Sequence, residues 1–350
     1  MKRALFLLLH FFASSAFCQT AAPATQPEPP QEAPAKPASD HIRYLEVADG
    51  PDILQTAITR FRKGDDTVDL VAVVHLGDAA YYAALNDFLA RFDVVLYEMV
   101  GGEYEKGEEH LANGMGAQEL GGVRQIQQMA SSFLGLEFQL DGIDYEAKNF
   151  IHADVDWHQY NELMTAKNQS FATLFTRAMN LSHTAEIPGV PSSDEEINVF
   201  FGRILSAITT GDSRELKRAI APMLSEAEGF IAMLEGDDGT VLVSERNKVV
   251  MEKLHEVCAK RNGGAYAVFY GAGHMPDLEE RLLADGFAKV ETGWISAWSI
   301  PKSTEEDSLT TGSEAPTATG ILLRMLQDNP DFRSVVEQLS DVLETLQETP

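Results

Sequence analysis

Three short apolar runs, each ending abruptly in an ionisable side chain, constrain this chain more than any other feature of it. Val68–Val74 (VDLVAVV) stops at His75, Asp93–Tyr97 (DVVLY) stops at Glu98, and Ala265–Tyr270 (AYAVFY) runs into Gly271-Ala272-Gly273-His274. Short runs of β-branched and aromatic residues with little polar alternation are what strands buried on both faces look like. Ile42–Val47, Glu137–Ile143 and Phe287–Ser299 read as further strands. Between them, Ile53–Arg62, Ala79–Arg91, Gly122–Phe133, Val241–Lys260 and Asp277–Ala284 carry apolar residues at helical spacing. The pattern predicts an α/β fold: a central, mostly parallel or mixed sheet flanked by helices.

One stretch breaks the alternation. From about 157 to 235 no strand is evident, and Asp156/Gln159, Ser193/Glu196 and Asp212/Glu215 have the spacing of capping boxes at successive helix starts. This segment is expected to be a helical insertion between the halves of the sheet, able to form a lid or wall over a site. The folded domain is expected to span 41–300. Before it, residues 1–18 have a basic start and a compact apolar run, as a secretory signal peptide does. Ordinary cleavage there gives an exported protein, periplasmic or secreted; retention of Cys18 at the mature end would instead give a lipid anchor. Residues 19–40 read as a Pro/Ala-rich linker and 301–317 as a polar one. Residues 318–350 form an acidic amphipathic tail with Val335, Val336, Leu339, Val342, Leu343 and Leu346 on one stripe, which packs back on the domain, folds as a small hairpin, or binds a partner or a second copy. No window reaches the length of a transmembrane helix. With 27 Lys+Arg against 54 Asp+Glu, the net charge of −27 argues against a nucleic-acid partner.

In open α/β sheets, ligand and catalytic groups gather beyond the carboxyl ends of the strands. His75, Glu98 and His274 all fall there, with Asp78 three residues after His75. Two imidazoles and a carboxylate can hold a divalent transition metal and leave positions open for water or substrate. A second cluster, His152-Ala-Asp154-Val-Asp156-Trp-His158, would put four ligand-type side chains on one face if extended. Alternatively, Asp156 caps a helix starting at Trp157, leaving His152 and Asp154 as lesser candidates. Arg246, beside Asn247 early in a predicted helix, is placed either to hold an oxyanion or to form a surface ion pair. No phosphate-binding P-loop, serine-hydrolase elbow or His-Glu-x-x-His helix is present.

Ala-Val-Val-His75-Leu-Gly, Leu-Tyr-Glu98, Ser-Glu-Arg246-Asn247-Lys-Val-Val-Met and Tyr-Gly-Ala-Gly-His274-Met-Pro-Asp-Leu resemble, in order, the motifs of the TraB/PrgY/GumN family, which includes the Tiki-like metalloproteases. The resemblance spans about 42–300. It implies a sheet with helices around it, related to erythromycin-esterase-like and ChaN-like folds, and a metal-dependent hydrolytic centre. Carried over, His75 and His274 are the motif histidines, Glu98 the acid, and Arg246 and Asn247 the Arg-Asn pair. Ala72 departs from the pattern, standing where the first motif has glycine. The expected activity is thus an exported, peptidase-like hydrolase using Mn²⁺, Co²⁺ or Zn²⁺ on a peptide or small-molecule substrate. In it His75, Glu98 and His274 are metal ligands, Glu98 serves alternatively as general base, and Arg246 stabilises the oxyanion. The competing expectation is a non-catalytic protein that holds a peptide or haem-like ligand in the same cleft.

Overall fold

The three apolar runs become neighbouring strands. A computed structural model describes residues 40–102 and 134–302, apart from parts of 171–211 and residues 237 and 262. In chain order its elements are β1 (Ile42–Leu45), β2 (Asp52–Lys63), β3 (Asp66–Val73), β4 (Leu76–Gly77), α1 (Ala79–Leu89), β5 (Val94–Tyr97), β6 (Glu137–Phe138) and β7 (Phe150–His152). Then follow α2 (Trp157–Ala166), α3 (Ser213–Ser225), α4 (Ala227–Glu235), a π-helical turn (Val241–Glu245), α5 (Arg246–Ala259), β8 (Gly264–Gly271), a 3-10 turn (Ala272–His274), α6 (Met275–Ala284) and β9 (Ala288–Ile300).

The main sheet is mixed. β3, β8, β5 and β7 run parallel in that spatial order, and β2 joins antiparallel to β3, to β1 and to β9. Because β9 follows β2 from Asp52 to Arg62, β1 and β3 must share the other edge of β2, opposite its first and second halves. The parallel strands form the heart of the core: Leu70, Val71, Val95, Leu96 and Tyr266 through Tyr270 are all buried. Covering both faces of these strands removes their side chains from water, the dominant favourable term in folding. Ala72, buried opposite Tyr270, does not interrupt the pairing, which continues in register to Val73 and Gly271. Among the described residues no helix is long and apolar enough to cross a membrane.

Two expected elements differ. Ile53–Arg62 is not a helix but most of β2. Its buried residues Leu54, Ala57 and Phe61 fall at i, i+3 and i+7, which mimics a helical stripe. The mimicry arises because Thr56 and Ala57 are both buried, so the alternation changes phase mid-strand. β2 then turns into β3 through Gly64-Asp65, where Gly64 takes φ +59 as the first position of a two-residue hairpin loop. Glu137–Ile143 forms a strand only at Glu137–Phe138, whose pairing the Gln139 N–H extends to His75 O at 2.9 Å, and then turns into the short helix Gln139–Gly142. The insertion contains α2, α3 and α4; Asp156 and Gln159 make the capping box, and Asp212 caps α3 through Arg214 N. The segments 1–39, Gly122–Phe133, Ser193/Glu196 and 303–350 lie outside the described residues.

Asp52, at the start of β2, ties together β2, α3 and the segment after β9. Its buried carboxylate accepts from Val47 N, from Arg218 Nε at 3.0 Å and from Lys302, while Arg218 Nη2 donates to Pro301 O. Burial alone would raise the Asp52 pKa, but the Lys302 and Arg218 bonds hold it down at about 2, against a usual 3.8. A depressed folded-state pKa stabilises above the unfolded value, and that contribution disappears as pH falls from about 4 to about 2. Asp52→Asn should therefore lose about 1–2 kcal/mol at neutral pH, allowing for screening at the half-exposed Lys302. Melting curves across pH test this: the gap to wild type should close below about pH 3, and a gap constant from neutrality down to about pH 2 contradicts it.

Candidate functional site

The parallel register brings the strand ends together. Beyond Tyr97, the Glu98 N–H continues the ladder to Phe269 O, and the neighbouring Gly271 N–H donates to Glu98 Oε2 at 2.7 Å. A Cβ on Gly271 would stand 3.3 Å from that oxygen, so glycine lets the backbone approach the carboxylate freely. The 3-10 turn then carries the chain to His274, whose ring packs edge-on against Tyr270 with centroids 5.2 Å apart.

Arg246 lies at the centre of the site. It donates from Nε and Nη2 to the two oxygens of Asp154, at 2.9 and 2.6 Å, and from Nη2 to Glu98 Oε1 at 2.6 Å. Its Nη1 donates to Leu242 O at 3.1 Å and lies 3.3 Å from His274 Nε2. The guanidinium is 10% exposed, Asp154 0% and Glu98 13%, so this is a buried network and not the surface pair that sequence left open. Burial alone would push the Glu98 carboxyl up. The charges of His274 and Arg246, the His274 hydrogen bond and the charge of His75 hold it well below the usual carboxylate range. Burial likewise works against the Arg246 charge, yet Asp154 and Glu98 push its pKa well above normal.

Asn247 sets the other histidine nitrogen. Its Nδ2 donates to His274 O at 3.1 Å and to Asp277 Oδ2 at 2.7 Å, so its Oδ1 is left to accept from His274 Nδ1 at 2.7 Å. That fixes the proton on Nδ1. Nε2 sits 3.4 Å from Glu98 Oε1, where it accepts from Arg246 when bare and donates to Glu98 when protonated. Asp277 is held in turn by Arg281, one helical turn on.

His75 is built in the same way. Gln139 Oε1 accepts from His75 Nδ1 at 2.9 Å while Gln139 Nε2 donates to the Tyr145 hydroxyl, which leaves Nε2 as the nitrogen the exposed His75 can offer a ligand. Histidines whose second nitrogen is tied in this way present a ready lone pair to a metal or a proton. In donor chemistry, two such nitrogens and an ionised carboxylate fit a divalent transition metal. In the arrangement described, however, no three His, Cys, Asp or Glu side chains among the described residues close around one point.

The lesser candidates separate. Asp154 belongs to the centre through Arg246. His152 ends β7 and bonds Met99 O through Nε2. Asp156 caps α2, and His158 is exposed beside Glu162, so the four do not form a ligand array. Asp78 spends its carboxylate on Lys217 and on Ser299 N, fastening the His75 turn to α3 and β9. Sequence reasoning missed Gln139, Asp277 and Tyr270 as supports; Asp277 sits in the His-Met-Pro-Asp motif, but nothing in its spacing marks it as the partner of Asn247.

No protein-family model, curated protein or solved structure matches this chain.

Proposed function

We propose that this chain is an exported, metal-dependent hydrolase, peptidase-like in class, working at the carboxyl edge of the sheet. The observation that carries the reading is the matched tethering of His75 and His274: each has Nδ1 tied to a side-chain amide oxygen, and His274 stands beside a carboxylate kept ionised. The motif resemblance to the TraB/PrgY/GumN family supports the same assignment. His75, Glu98 and His274 would hold the metal, Mn²⁺, Co²⁺ or Zn²⁺, which when bound supplies Lewis acidity and lowers the pKa of water. The chain's own groups do the rest. Glu98 serves alternatively as the general base that takes a proton, Asn247 fixes the His274 ring so that Nε2 carries the lone pair a metal needs, and Arg246 places positive charge where an oxyanion develops.

Metal analysis of the purified protein, with His75→Ala and His274→Ala beside it, tests the proposal. Bound metal should fall in both variants, and content unchanged in both would sink it.

One observation favours a second reading, in which the cleft binds a peptide or haem-like ligand without turning it over. Arg246 already contacts both carboxylates, so the charges of the centre largely satisfy one another. A peptide panel assayed with added Mn²⁺ or Co²⁺ decides between the two, since turnover abolished by Glu98→Ala excludes simple binding. The acidic tail, 318–350, is the proposed contact for a partner or second copy; its deletion should then change the oligomeric mass.

A further inference from the structure

Arg246 does not emerge from an ordinary helix start. It follows a π-helical turn, Val241–Glu245, closed by Glu245 N donating to Thr240 O at 3.1 Å. Such widened turns are uncommon and recur at functional sites. Here the turn presents Leu242 O to Arg246 Nη1. A turn of this kind needs its leading N–H groups satisfied, and each acceptor comes from outside the α5 helix. Glu235 Oε2 accepts from Thr240 N at 2.9 Å and from Ser244 N at 3.2 Å, and Glu235 Oε1 accepts from the Thr240 hydroxyl. Val241 N donates to Gln169 Oε1 and Leu242 N to Thr240 Oγ1.

Glu235 occupies the last turn of α4, where a carboxylate opposes the helix dipole. It is placed badly for α4 and well for the turn that follows. α4 also covers the 3-10 turn of His274: a Cβ on Gly273 would meet Ile231 Cδ1 at 2.3 Å.

We propose that Glu235 is a positioning residue for the centre, holding the π turn so that Arg246 stays on Glu98 and Asp154. α4 of the insertion is thereby coupled to the site. The inference rests on the reading of the centre given above, but its first test uses no turnover. The Arg246 Nε–H proton, assigned by its absence in Arg246→Lys, is followed by NMR in the full chain. In Glu235→Ala its exchange with water should rise roughly tenfold, the order expected for loosening a charged hydrogen bond. Glu235→Gln, which keeps one acceptor oxygen, should recover part of the protection.

Leu234→Ala, which removes a buried apolar side chain from the same helix, controls for general loosening. An Arg246 signal unchanged in Glu235→Ala overturns the proposal, and so does an equal change in Leu234→Ala at matched stability. If the alanine variant does not fold, Glu235→Gln is read alone: faster Arg246 exchange supports the proposal and wild-type exchange overturns it. Absence of hydrolysis or metal in the wild type would remove the hydrolase reading and leave this result standing.

Discussion

Arg246→Met should cost about 3–5 kcal/mol of stability near neutral pH, measurable as a lowered urea midpoint, because it leaves two buried carboxylates without their cation. Asp154 is fully buried and Glu98 nearly so, and both direct oxygens at the same guanidinium nitrogen, Nη2. Methionine fills most of the volume, so the loss reports charge and hydrogen bonding more than a cavity. Adding Asp154→Asn should restore part of the stability by deleting one of the two stranded charges. That recovery separates an electrostatic cause from a packing one. Arg246→Lys should not rescue, because a single ammonium cannot reproduce the planar fork that meets both Asp154 oxygens and still reach Glu98 and Leu242 O. A loss under about 1 kcal/mol for Arg246→Met, the size of an exposed pair, would show that the network is not buried in solution.

The fold class was legible because buried parallel strands write themselves as apolar runs, and those at β3, β5 and β8 are interrupted by little else. β2 was illegible for a related reason: a strand whose buried face shifts partway carries the spacing of a helix. The strand β7 is three residues long and leaves no period to read. At the site, strand ends pointed to His75, Glu98 and His274 because an ionisable residue directly after an apolar run stands out. What sequence could not supply was how they are held. Asp154, Asn247 and Gln139 act from other segments, at separations of 92, 27 and 64 residues from the groups they bond. Such partnerships depend on tertiary approach, and a single chain's local pattern contains no trace of it. The π turn before Arg246 is likewise hidden in the sequence, since apolar spacing does not distinguish a widened turn from a regular one.

Glu98→Gln should cost less stability than Arg246→Met. Two carboxylates share one guanidinium in the native centre, so neutralising Glu98 leaves Arg246 and Asp154 as a balanced pair. The amide can keep its oxygen on Arg246 Nη2, but its nitrogen then faces the Gly271 N–H, which Glu98 Oε2 now accepts. Against the cost of burial, the charges of His274 and Arg246 hold the Glu98 pKa well below normal, so its ionised form adds stability at neutral pH. Glu98→Gln should lose that together with one hydrogen bond, about 1–3 kcal/mol. Turnover should nevertheless fall by roughly 10²–10⁴, the usual contribution of a positioned acid–base group, in any peptide assay that the wild type supports with Mn²⁺ or Co²⁺. Thermal melting and initial rates on the same preparation check both halves. A folded Glu98→Gln protein with near-wild-type rates would remove Glu98 from the reaction. A stability loss as large as that of Arg246→Met would instead assign its charge chiefly to holding the fold, making it structurally equivalent to Asp154.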